Sequence, residues 1–146
     1  MTVTFFGHKD TPELVVPCLE KTLRHLIENE NAGLFYVGNH GKFDGYALRV
    51  LKKLKIEFPH IEYAIVLAYM PQTSQYTHGD TEYTTVLPEE AAISIPKFAI
   101  CRRNDWMLQK SDTIIGYITR SFGGAAQYYQ KAIKKKKSVI NLADML

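Results

Sequence analysis

Apolar positions along this chain alternate between two patterns. The first is a set of short unbroken runs. Val3, Phe5 and Phe6 end at Gly7, Leu34–Val37 end at Gly38, and Tyr63–Ala68 end near Tyr69. Thr113–Ile118 and then Val139, Ile140 and Leu142 complete the set. Runs with little apolar/polar alternation suit strands covered on both faces, so these five predict parallel strands. The second pattern is helical. Leu19, Leu23, Leu26 and Ile27 share one spacing, and Ala47, Leu48, Leu51 and Leu54 another. Two further helices are predicted over Lys97–Lys110 and Gly124–Lys137. Thr11, Pro12 and Glu13 have the form of an N-cap followed by a first-turn proline. Pro17 conflicts with that start, because an interior proline costs ~3 kcal/mol. Either the first turn is irregular and the helix begins near Pro17, or the helix is kinked there.

The succession of strands and helices predicts a three-layer α/β/α fold around a five-stranded parallel sheet, with right-handed crossovers placing helices on both faces. Residues 70–96 break the rhythm with prolines, Gly79 and many polar residues, and are expected to form a long loop or lid. With 146 residues, a single domain over 1–146 is expected. A hydrophobic share of 46% against 23% charged excludes general disorder. No apolar run approaches the ~18 residues of a membrane span, and MTVTFFGHKD lacks the marks of a secretory signal. Cys18 and Cys101 stand far apart without a CxxC, which argues against a zinc site or disulfide framework and fits a reducing cytoplasm. The histidines show no metal-ligand spacing, so no metal is expected. The formal charge of +3 would favour a small anion without calling for nucleic acid.

Open parallel sheets bind ligands beyond the carboxyl ends of their strands. Four segments stand there: Gly7-His8-Lys9-Asp10, Gly38-Asn39-His40-Gly41-Lys42-Phe43-Asp44, Tyr69-Met70, and Thr119-Arg120-Ser121-Phe122-Gly123-Gly124-Ala125-Ala126. Glycine lets backbone amides approach a phosphate, and a helix start supplies free N–H groups. Gly7 is either a plain strand-to-helix turn or a ligand contact. Gly123 to Ala126 are four small residues at a helix start, making room for a ligand or for close packing against the sheet. Asp44 caps the second helix or binds a ribose hydroxyl. His8 is an acid/base or phosphate-donor candidate, or else structural. Of Arg102 and Arg103, neighbours ~100° apart on a helix, at most one faces the site. Trp106 and Met107 are expected in the core, Cys101 in buried packing, and Lys134–Lys137 on a solvated face. Neither G-x-G-x-x-G nor a P-loop is present, and Ser111 and Ser121 lack a nucleophile elbow.

The segments FFGHKDTP, FYVGNHGKFD, VLAYMP, CRRNDWMLQKSD and SFGGAAQ, in that order and spanning nearly the whole chain, resemble the SLOG superfamily. More narrowly they resemble its YpsA-like branch, a domain of unknown function related to the LOG phosphoribohydrolases and to DprA. The resemblance implies a Rossmann-like fold with strand order 3-2-1-4-5, a nucleotide or nucleotide-derived ligand, and a homodimer. By position, Gly38, Gly41 and Asp44 resemble the turn after strand two, and Gly123-Gly124 the GG of the LOG motif PGGxGTxxE. Arg103 is placed like the arginine of the LOG helix before its SD dipeptide, here Ser111-Asp112, and is the one catalytic candidate. The motif proline is Phe122 here, its later glycine and threonine are Ala126 and Gln127, and its glutamate is Gln130. A neutral glutamine neither acts as a base nor stabilises an oxocarbenium charge.

The expected ligand-binding set is therefore Gly7, His8, Lys9, Gly38, Asn39, Gly41, Asp44, Tyr69, Arg103, Ser121, Gly123, Gly124, Ala125, Ala126 and Gln127. The leading expectation is a module that senses or sequesters a nucleotide, needing no further cofactor. The alternative is a LOG-type hydrolase of nucleoside monophosphates with a substitute carboxylate, from Asp10, Asp44, Asp80, Glu82, Glu89 or Glu90. A DprA-like DNA-associated or protein-interaction module is a weaker third.

Overall fold

The computed structural model describes residues 1–68, 84–92 and 96–146. Strand β1, Thr2–Gly7, is buried along its middle and lies between two neighbours. On one side it pairs in parallel with β2, Leu34–Val37, which pairs with β3, Glu62–Val66, which pairs with β4, Thr84–Val86. On the other side it pairs with β5, Thr113–Tyr117, and β5 with β6, Ser138–Asn141. Among the described residues the sheet thus has six parallel strands in the order β4-β3-β2-β1-β5-β6. The five expected strands stand in their expected order. The correction is β4, an added edge strand inside the stretch expected to be a loop. It is joined there by a short helix, α3, Glu89–Ala92. The Leu67 N–H donates to the Val86 carbonyl at 2.7 Å and extends that pairing past β3.

Helices cover both faces. Helices α1, Val16–Asn29, and α2, Gly41–Glu57, place Leu19, Leu23, Phe43, Leu51 and Leu54 against Phe5, Phe35, Ile65 and Ile115. On the other face, α4, Pro96–Lys110, and α5, Gly124–Lys134, place Met107, Leu108, Tyr128 and Ala132 against Phe6, Val66 and Ile114. Phe6 stacks on Tyr128 with ring centroids 5.4 Å apart. Trp106, half-buried, meets Tyr36 edge-on at 4.9 Å.

The start of α1 resolves the proline conflict. A 3₁₀ turn, Glu13–Val15, precedes it, and Pro17 falls in the first turn of the helix proper, where its missing N–H costs nothing. Thr11 does not cap the turn that follows; its hydroxyl donates back to the His8 carbonyl at 2.6 Å. Cys101 is exposed, against expectation. The buried face of α4 runs through Ala99, Arg103 and Met107, at i, i+4 and i+8, and Cys101 falls between those turns. The last strand stops at Asn141, and Leu142 opens a 3₁₀ turn, Leu142–Met145. The Asn141 amide binds both the N–H and the carbonyl of Ile118, ending β5 one residue early. Lys134, Lys135 and Lys136 are exposed as expected, while Lys137 Nζ donates to the Ser111 carbonyl at 2.7 Å.

Candidate functional site

From β1 the chain builds β2, β3 and β4 outward on one side, then returns to lay β5 and β6 on the other. The crossovers diverge between β1 and β5, which leaves a crevice at the carboxyl ends of those strands. A cleft of about 310 Å³ lies there. Its lining includes Gly7 at the end of β1 with His8 and Lys9 beyond it, Gly38, His40 and Asp44 after β2, and Arg120, Gly123, Gly124 and Ala125 after β5. Ile100, Arg103, Asn104 and Met107 of α4 close the remaining wall.

The turn after β2 is built around glycine. A Cβ on Gly38 would stand 2.8 Å from Asp44 Oδ2 and 2.9 Å from Arg103 Nη1, so glycine lets both charged groups approach the strand end. Gly41 has φ +85°, and a Cβ there would lie 2.7 Å from the Lys9 Cα. The amides at this turn are largely engaged by the protein itself. The His40 N–H donates to Asp44 Oδ2 at 3.0 Å, and the Lys42 N–H donates to the Lys9 carbonyl at 2.9 Å. Asp44 thus sits in the first turn of α2 and accepts from the backbone of its N-cap residue, His40, while no side chain caps the helix from the N-cap position itself.

Arg103 is the buried cation of the cleft, 3% exposed. Its Nη1 donates to the Val66 carbonyl at 3.2 Å and to Asn39 Oδ1 at 3.0 Å, while Nε donates to Asn104 Oδ1 at 2.8 Å. Arg102 beside it is exposed, so one of the two arginines faces the site. Burial pushes the Asp44 carboxyl up to about 6, against the opposing pull of the His40 N–H and the Arg103 charge. Burial lowers His40 from its ordinary value, and Arg103 and Lys9 add to that.

His8 is 3% exposed and holds two strand ends together. The Thr119 N–H donates to its Nε2 at 3.1 Å, so the imidazole is neutral with its proton on Nδ1. Burial lowers its pKa, the Arg120 charge lowers it further, and Asp10 opposes both.

The start of α5 differs from that of α2. Gly123, with φ +96°, occupies the N-cap position, and no side chain caps the helix. The first intrahelical bond runs from the Gln127 N–H to the Gly123 carbonyl, which leaves the Gly124, Ala125 and Ala126 amides outside the α-helical ladder. Among the described residues, apart from the adjoining backbone, nothing lies within 4 Å of the Cβ positions of Gly123 or Gly124. Arg120, just before this turn, forms a two-pronged ion pair with Asp10, both contacts at 3.1 Å.

Of the expected ligand contacts, Gly7, His8, Lys9, Gly38, Asp44, Arg103, Gly123, Gly124 and Ala125 share this cleft. Asn39 reaches it through Arg103, and Gly41 shapes the turn from behind. Ser121 and Gln127 are exposed outside the lining, Ala126 is buried beneath it, and Gln130 is exposed on α5. Tyr69 and the parts of the expected lid at 70–83 and 93–95 lie outside the described residues. His40 and Arg120, which stand in the strand-end segments but outside the expected contact set, also line the cleft, as does Asn104 of α4. Among the described residues no group of three or more His, Cys, Asp or Glu could hold a metal ion, and no helix is long and apolar enough to cross a membrane.

A family model described as "YspA SLOG family" matches residues 1–144. A UPF0398 protein of Bacillus cereus is 23% identical over 137 residues, covering 86% of this chain and 74% of its own. A UPF0398 protein of Halalkalibacterium halodurans is 26% identical over 128 residues, covering 81% and 66%. The X-ray structure of DNA processing protein A (DprA) from Streptococcus pneumoniae superposes with a TM-score of 0.67 at 14% identity. That likeness covers 94% of this chain but 48% of the DprA chain, and it is one of fold.

Proposed function

This chain belongs to the YspA SLOG family, and from that premise we propose that it binds a nucleotide or nucleotide-derived ligand in the β1/β5 cleft, as a sensing or sequestering module. One observation carries the reading: the uncapped start of α5 opens onto the same cleft as the buried Arg103 guanidinium. Unpaired amides at a helix start attract an anion, and a guanidinium in a partly desolvated wall strengthens that attraction. A phosphoryl group is the anion that fits both. The small residues Gly123, Gly124 and Ala125 leave space for it to approach the backbone. The cleft volume of about 310 Å³ is at the low end for a small-molecule site and suits a mononucleotide better than a dinucleotide.

Binding is favoured over turnover because the position of the LOG glutamate is Gln130, which is exposed and outside the cleft. Asp44 supports a second reading, hydrolysis of an N-glycosidic bond. It is a cleft carboxyl that keeps its proton up to about 6, the range in which a carboxylic acid serves as proton donor.

Titration calorimetry with adenosine monophosphate tests the binding, and chromatography of the same mixture for free adenine separates the two readings. Saturable binding with the nucleotide recovered intact supports the module. Adenine release lost on Arg103→Ala or Asp44→Asn establishes the hydrolase. Absence of heat with adenosine, guanosine, cytidine and uridine monophosphates alike refutes both.

A further inference from the structure

Arg120 and Asp10 stand 110 positions apart in sequence and face each other across the two strand-end loops that flank the cleft. Arg120 Nη1 and Nη2 each donate to a different oxygen of Asp10 at 3.1 Å. A guanidinium fork closed on a carboxylate has the geometry with which arginine takes a phosphoryl group. The Asp10 side chain is 68% exposed and that of Arg120 is 35% exposed, so the carboxylate lies on the outer side of the pair. Two further features set this arginine apart from an ordinary surface ion pair. Its Nε is buried with no hydrogen-bond partner among the described residues. Its guanidinium carbon lies 5.4 Å from the ring centroid of Phe122, a residue that is 69% exposed.

We infer that Arg120 is a ligand-contacting residue held in reserve by Asp10, which acts as an internal competitor for the phosphoryl group of the bound nucleotide. The inference rests on the proposed nucleotide reading and adds to it a latch that sets affinity. Entry of the ligand exchanges one anion for another on the fork. The carboxylate of Asp10 moves into water, which its exposure makes inexpensive, and the phosphoryl group takes its place beside the α5 amides. Phe122 keeps the guanidinium plane oriented during the exchange. A carboxylate in this place also selects. An uncharged nucleoside gains nothing that repays breaking the pair, whereas a dianion does.

The test is a double-substitution cycle read by calorimetry at low salt, with adenosine monophosphate and inorganic phosphate as separate probes. Asp10→Asn is expected to tighten adenosine monophosphate binding about tenfold, and Arg120→Gln to weaken it by a similar factor. In the Asp10→Asn/Arg120→Gln protein the gain from Asp10→Asn should vanish. Removal of a negative charge near an anion site would, on general electrostatic grounds alone, strengthen binding with or without Arg120. A gain that persists undiminished in the double variant therefore overturns the latch, as does unchanged or weaker binding in Asp10→Asn. Either result leaves the nucleotide reading standing so long as the unsubstituted protein binds. Absence of binding in every variant, Asp10→Asn included, ends both. The same rank order with inorganic phosphate supports an exchange made on the phosphoryl group itself. A gain confined to the nucleotide, with phosphate indifferent to Asp10, counts against it.

Discussion

The ring of Phe43 fills the space that a side chain on Gly7 would need: a Cβ there would stand 2.1 Å from Phe43 Cγ. Gly7 ends β1 at the floor of the cleft, and Phe43 lies in the first turn of α2, fully buried against Phe5. Gly7 is thus glycine because helix and strand end must touch. Gly7→Ala should destabilise the protein by ~3 kcal/mol, the upper range for overpacking a core. Phe43→Ala, costly alone, should relieve much of that strain. Urea unfolding of both single variants and the double is expected to show marked non-additivity. Additive costs would mean that the two residues do not meet.

His8 ties Thr119 to the end of β1 only while it is neutral. Its folded pKa lies below the ordinary 6.5, so its contribution to stability is present above that value and is lost as pH falls through the folded pKa. His8→Ala should cost about 1–3 kcal/mol at pH 7.5, because the Thr119 amide loses its acceptor. The deficit should shrink at pH 5. Denaturant unfolding at the two pH values measures this, and a deficit independent of pH would show that the imidazole does not titrate in the interaction.

Asp44 has the opposite sign. Its folded pKa, about 6, lies above the ordinary 3.8 of an aspartate, so the native state binds the proton more tightly and the penalty on the ionised form is relieved as pH falls through 6. At pH 7.5 Asp44→Asn should therefore be more stable than the unsubstituted protein, by about 1 kcal/mol after allowance for partial solvent screening. Asparagine retains an oxygen to accept the His40 N–H. The advantage should disappear by pH 4. A variant less stable at pH 7.5 would mean that the charge of Asp44 at the start of α2 outweighs its burial.

Gly124→Asp should fold normally, since among the described residues nothing beyond the adjoining backbone lies within 4 Å of its Cβ and a carboxylate in a first helical turn is stabilising by ~0.3–1 kcal/mol. The same carboxylate would occupy the anion position at the start of α5, and adenosine monophosphate affinity should fall at least a hundredfold. A thermal unfolding midpoint at or above that of the unsubstituted protein, with calorimetric binding abolished, is the expected pair of results. Undiminished affinity would remove α5 from the proposed site.

Much of this architecture is legible in the sequence, for identifiable reasons. Strands buried on both faces need nearly unbroken apolar residues, and β1, β2, β3 and β5 have them. The edge strand β4 is three residues long, and two of them are Thr84 and Thr85; it has neither the length nor the apolarity to stand out. Helices α1 and α2 declare themselves because each buries one broad stripe on the sheet. Cys101 is misjudged because α4 carries a mixed pattern whose buried side includes an arginine. The cleft follows from strand-end position, which brings Gly38, Gly123 and Gly124 into its lining. The pairing of Arg120 with Asp10 and the acceptor role of His8 join residues 110 and 111 positions apart, and no local spacing encodes such meetings. Ser121 and Gln127 belong to the same segment but are exposed outside the cleft lining.

With a parallel neighbour on each side, β1 can release its amides to solvent only if the sheet unzips from an outer edge or the whole domain opens. Deuterium uptake at Phe5 and Phe6 should therefore track global unfolding, while Thr85 and Val86 exchange through cheap local fraying. The cleft floor is anchored to the slowest-opening part of the molecule, so its shape would survive excursions that detach the β4 side.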